Sequence, residues 1–111
     1  MFLSFRVHHC AIRICMLTHI VIWKYRDDVE PEVRQEHVAM LRQLVSVIPE
    51  IQTLAAGFDV LGLPRSYHTG LVVTFKDQAA LEAYTVHPEH IKVAALGKSI
   101  SAHVASVDFE D

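Results

Sequence analysis

Beyond residue 15 the chain has no cysteine, since both of its cysteines, Cys10 and Cys15, fall at the start of its 111 residues. A folded domain built from the remainder has no disulfide framework and suits a reducing compartment. No stretch approaches the ~20 apolar residues of a spanning helix. The fairly apolar residues 1–17 are interrupted by Arg6 and Arg13, so they do not form a targeting segment with an unbroken apolar run. Lys and Arg total 10 against 13 Asp and Glu, a net charge of −3 with no basic cluster, which leaves no field for a phosphate backbone. The expected protein is soluble and cytoplasmic, with neither nucleic acid nor membrane as a partner.

Hydrophobic residues are abundant, at 51% of one domain-sized chain. Residues 1–15 (MFLSFRVHHCAIRIC) carry no cap, turn signal or period, and read as an appended leader or a start upstream of the true one. The folded domain is expected over 16–111. His8, His9, Cys10 and Cys15 lack the paired short spacings of a zinc site, so no metal is assigned to them.

Leu17 to Tyr25 (LTHIVIWKY) is β-branched and aromatic and reads as the first strand. His19, Val21, Trp23 and Tyr25 share one face, and Ile20 and Ile22 the other. Pro31 suits the first turn of a helix over about Glu30 to Val47, whose stripe is Val33, His37, Met40, Leu41, Leu44 and Ile48. Pro49 ends it. A weaker strand follows over Ile51 to Val60, then a Gly/Pro loop, then a strand over Tyr67 to Phe75. Asp77 is placed to cap a short helix that stops at His87, because a residue before proline is driven out of the helical region. Pro88 restarts a helix through Leu96, with Gly97 as its C′ residue. Ile100 to Phe109 is the last strand. The order β-α-β-β-αα-β is the split βαβ pattern of an α+β, ferredoxin-like domain with a four-stranded antiparallel sheet.

In that topology the helices cover one sheet face. Here both faces are apolar, and so large an exposed patch exceeds what a soluble monomer tolerates. Two chains pairing sheet faces into a dimeric α/β barrel resolve the conflict. The homodimer is therefore expected from the pattern.

Three segments together resemble the stress-responsive A/B barrel domain family: the opening MLTHIVIWKY, the passage TFKDQAALEAY, and the HPEH box with a closing strand ending in VDFE. The resemblance covers Met16 to Asp111. It implies a small apolar pocket between sheet and helices, and no cofactor. In the family's cyclase branch a tyrosine donates a hydrogen bond there and a histidine acts as general base. The matching positions are Tyr84 and His90. His19 matches a histidine near the cavity and His87 the first histidine of the box. With Val21, Trp23 and Leu81, these are the expected substrate-binding residues.

An imidazole with a pKa near 6.5 suits proton abstraction beside a carbonyl, and a phenol suits the developing enolate oxygen. Each residue also has a purely structural role open to it. His90 can satisfy a local backbone partner, Tyr84 can be a core aromatic, His87 can cap the next helix or orient His90, and His19 can be a buried histidine of the dimer. His87, Glu89 and His90 do not share one helical face, so no metal is expected there. His37 lies in the helical stripe, yet with His68 and His103 it is most simply a surface or strand-edge residue. Trp23, Phe58 and Phe75 are most simply core. Three functions fit: a cofactor-free lyase or cyclase acting on a small carbonyl compound, a stress-associated or small-molecule-binding protein without turnover, and a cofactor-free monooxygenase.

Overall fold

The computed structural model describes residues 15–111, and what the sequence suggests for residues 1–14, including the His8, His9, Cys10 set, lies outside them. The strands are β1 (Leu17–Tyr25), β2 (Ile51–Phe58), β3 (Thr69–Phe75) and β4 (Ser101–Glu110). The helices are α1 (Pro31–Val47), α2 (Gln78–Thr85) and α3 (Pro88–Ile100). The sheet has the order β2-β3-β1-β4 with every neighbour antiparallel, so the fold is ferredoxin-like.

Alternation along β1 decides which face holds the core. Leu17, Val21, Trp23 and Tyr25 are buried beneath the helices, while Thr18, Ile20, Ile22 and Lys24 point to the other side and are half-exposed. Opposite residues of an antiparallel pair share a face, so the register His19↔Asp108, Val21↔Ser106 and Trp23↔Val104 puts these β4 residues on the helix side. Leu71, Val73 and Phe75 of β3 close the core with Leu41, Leu44 and Ile48. Pro31 opens α1, and the Ile48 N–H closes it onto the Leu44 carbonyl at 3.0 Å. The Asp77 carboxylate accepts from the Ala80 N–H at 2.9 Å, as its position before α2 anticipates.

The structure corrects three expectations. β2 ends at Phe58 and β3 begins at Thr69, so the loop between them is longer than the pattern implies. Phe58 is 45% exposed rather than core, because it ends an edge strand with a neighbour on one side only. Gly97 is not a C′ residue. The helix passes through it to Ile100, and Gly62 is the glycine with positive φ, at 62°. A Cβ on Gly97 would meet Trp23 Nε1 at 2.8 Å and His37 Nε2 at 2.9 Å. The glycine therefore serves a close approach between α3 and the rings below it.

Gly97→Ala tests that contact. In an open helix the change gains ~1 kcal/mol of propensity, whereas overpacking two buried rings costs about 1–3 kcal/mol. The thermal midpoint should fall by several degrees, and an unchanged or raised midpoint would show that the rings yield.

Candidate active site

The break between α2 and α3 builds the site. Pro88 has no N–H to give, and the chain turns at Val86 and His87 before α3 begins. His87 is the N-cap, its Nδ1 accepting from the Glu89 N–H at 3.1 Å. Tyr84 occupies the last turn of α2 and His90 the first turn of α3, and the corner brings their ring centroids to 4.2 Å. The freed Thr85 carbonyl lies 3.1 Å from His90 Nδ1. A carbonyl only accepts, so Nδ1 carries the hydrogen and Nε2 keeps a lone pair.

Burial lowers the His90 pKa, opposed by the Thr85 hydrogen bond and reinforced by His19 and His87 nearby. The ring is therefore a neutral base at neutral pH. Burial pushes the Tyr84 phenol up to about 12, keeping it a protonated donor. Tyr84 is 1% exposed and meets Phe75 edge-on at 5.0 Å. His19 stands edge-on to Tyr84 at 5.8 Å, and its Nδ1 is bonded to the Asp108 carboxylate across the β1–β4 ladder. A carboxylate fixes the tautomer in the same sense.

These rings line one end of a cavity of about 640 Å³ between the helices and the β1–β4 half of the sheet. Its wall includes His19, Val21, Trp23, Tyr84 and His90, five of the seven residues the sequence nominates. The other two lie outside it. His87 takes the capping role also open to it in the sequence, its imidazole turned to the backbone. Leu81 is not in the lining either, being half-buried against the core on its own helix. His103 is exposed on the edge strand β4, as its sequence reading expects, and also borders the cavity, while Lys98, Ser101 and Ser106 join the lining without a signal in the sequence. Among the described residues no group of His, Cys, Asp or Glu is arranged to hold a metal.

His37 is a further correction, for it is fully buried rather than at the surface. Its Nδ1 lies 2.7 Å from the Tyr25 hydroxyl, which is 2.8 Å from Thr69 Oγ1, and its ring meets Trp23 edge-on at 4.9 Å. This polar chain stands directly behind the cavity wall at Trp23. His68 is half-buried, stacked on Tyr25 at 5.7 Å with its Nδ1 accepting from the Tyr25 N–H at 2.9 Å.

A single antiparallel sheet roofed on one side by helices, with a cavity under the roof and an apolar face opposite, defines the ferredoxin-like class. Within it, the chain belongs to the Stress Responsive A/B Barrel Domain family, which matches residues 17–111. It is 26% identical over 94 residues to the stress-response A/B barrel domain-containing protein HS1 of Arabidopsis thaliana, covering 83% of this chain and 86% of that one. It is 25% identical over 75 residues to olivetolic acid cyclase of Cannabis sativa, covering 66% of this chain and 74% of the cyclase. A dimeric ferredoxin-like protein of unknown function from Thermobifida fusca superposes with a TM-score of 0.79 at 25% identity, over 86% of this chain and 90% of that one.

Burial lowers the His37 pKa to about 4. The unfolded chain takes up this proton more readily, so His37 contributes stability in full above pH 6.5, lost progressively as pH falls to about 4. The loss is roughly 3 kcal/mol across that window. Thermal midpoints should drop between pH 6.5 and 4, and His37→Gln should flatten the slope there. An equal slope in both proteins would remove His37 as the cause.

Proposed function

We propose that the chain is a homodimeric, cofactor-free enzyme of the cyclase or lyase type, acting at the α-carbon of a small carbonyl compound. The observation that carries this is the pairing of Tyr84 and His90 on one cavity wall, with His90 Nδ1 held by the Thr85 carbonyl. His90 Nε2 takes the α-proton, and the C–H electron pair moves into the enolate, whose oxygen accepts from the Tyr84 hydroxyl. The enolate carbon then attacks a second carbonyl of the same ligand, forming a C–C bond. The resulting alkoxide regains the proton from the His90 imidazolium, so the aldol closes with no co-reactant. The reverse sequence cleaves a C–C bond.

The His19–Asp108 pair stands beside Tyr84 and completes a polar end in an otherwise apolar cavity. Similarity to olivetolic acid cyclase supports the reaction class. Similarity to the HS1 protein supports a stress-associated role, and the second reading is that the same cavity binds a metabolite without turnover.

β-Keto thioesters that can cyclise separate the two. Wild type should turn them over, with His90→Gln and Tyr84→Phe each reduced by about 10²–10⁴-fold for the base and a smaller factor for the donor. The acid limb of kcat/KM should lie below 6.5, set by His90, and the profile should show no alkaline loss from Tyr84 through pH 10. Binding without turnover in all three proteins would favour the second reading.

The homodimer rests on the sheet's other face. Val72, Val107 and Phe109 are 41%, 53% and 44% exposed there, beside Ile20 and Ile22. A second copy of that face is the economical cover, and dimeric proteins of the same fold support it. Among the described residues no helix is long and apolar enough to cross a membrane. Sedimentation should give a dimer at micromolar concentration, and Val107→Lys should shift it toward monomer. A wild-type monomer would overturn this assignment.

A further inference from the structure

The cavity has a second polar end, remote from the proposed base. His90 and Lys98 lie eight residues apart on α3, about 12 Å along the axis. His19 and Trp23 lie four apart on β1, about 13 Å along the strand. The two walls therefore run together from the Tyr84–His90 end to an end formed by Trp23, Lys98 and Ser101.

Charge at this end is one-sided. Lys98 is the charged side chain here, the lining histidines His19 and His90 belong to the other end, and the lining holds no aspartate or glutamate. Asp108, the nearby acid, is bonded to His19 at the opposite end. Among the described residues Lys98 makes no ion pair. Ser101 carries a buried hydroxyl with no partner. Such a hydroxyl is costly to leave unmade, and rotation about χ1 redirects it. Between the two ends the wall is apolar, with Val21, Leu41, Leu71 and Val93.

From this arrangement we infer that the ligand is an amphipathic acyl chain bearing an anionic terminus, with the anion held at Lys98 and Ser101 and the reacting carbonyl at Tyr84 and His90. Transfer of a charged group into a half-enclosed apolar cavity is unfavourable without a countercharge, and Lys98 supplies it. The inference rests on the catalytic reading only for the position of the carbonyl. Either a carboxylate at the chain end or the phosphate of a carrier-bound acyl chain supplies the charge. Lys98 also lies in the last turn of α3, where a cation offsets the helix's partial negative charge. That role is indifferent to the ligand, so ligand discrimination is the quantity to measure.

Trp23 is the sole tryptophan and lines the cavity, so its fluorescence reports occupancy directly. The full-length protein is titrated with decanoate, methyl decanoate, decylamine and decanoyl-coenzyme A. Wild type should bind decanoate at least about tenfold more tightly than the ester and more tightly still than the amine. Lys98→Met should abolish the acid preference, Lys98→Arg should keep it, and His90→Gln should keep it as well. A coenzyme A thioester that outcompetes decanoate, with its advantage lost in Lys98→Met, assigns the anion to the carrier phosphate. Ester and acid bound equally in wild type, an acid preference that survives Lys98→Met, or no binding by any ligand overturns the proposal. Turnover is not part of the readout. A retained acid preference with no catalysis would defeat the catalytic reading alone, and catalysis with no acid preference would defeat this one alone.

Discussion

Pro88 is the constraint from which the site follows. A helix continuing from Thr85 through residue 90 would bond each carbonyl to the N–H four residues on, leaving none for a side chain. The break leaves the Thr85 carbonyl unused, and the imidazole of His90 takes it at 3.1 Å. One hydrogen bond thereby fixes the ring's orientation and its tautomer, while the same corner sets the ring against Tyr84. His87 supports this at one remove. Its cap on the Glu89 N–H fixes the first turn of α3, and that turn carries His90.

The second constraint is the depth at which α3 lies on the sheet. Gly97 lets the helix backbone come down onto Trp23 and His37, and a side chain there would hold it off. Beneath that contact, the Thr69–Tyr25–His37 chain is a buried polar run inside an apolar core. Its members partner one another except at His37 Nε2, which has no hydrogen-bond partner. An imidazole so placed is most stable neutral, and burial keeps it so. The cavity thus has a rigid back wall, with Trp23 pinned between an edge-on histidine and a helix backbone.

Local signals carried much of this in the sequence. β1, the caps at Asp77 and Pro31, and the break at Pro88 each depend on residues within a few positions of one another, and each stands where the pattern puts it. What was not legible depends on partners far along the chain. Gly97 looks like a stop signal because glycine after a helical run commonly is one, and only the Trp23 and His37 rings give it another purpose. His37 reads as a surface residue by its polarity, though its place in the stripe points inward. Asp108 carries no sequence signal as a partner of His19, because strand order does not determine register, and register alone sets the two opposite one another. His87 and His90 look equivalent in HPEH, yet one faces backbone and the other the cavity, a difference of where each falls relative to the first turn.

The cavity itself is a consequence of what β4 lacks. Its helix-side residues Ala102, Val104 and Ser106 are short, and β4 is an edge strand, so nothing tall rises to meet α3. Had these positions carried leucine or phenylalanine, the space would be core. The same strand offers Val107 and Phe109 on its other side, half-exposed and adjacent in the ladder to Ile20 and Thr18. Alternation along β4 thus divides two tasks between its faces, an unfilled volume on one and an apolar surface seeking cover on the other. A strand so little buried on both sides is held to its own chain chiefly by its ladder with β1. Docking a second copy against the outer face would fix β4, and with it the floor of the cavity and the Asp108 carboxylate that orients His19. Such docking would therefore couple association to site geometry through one strand.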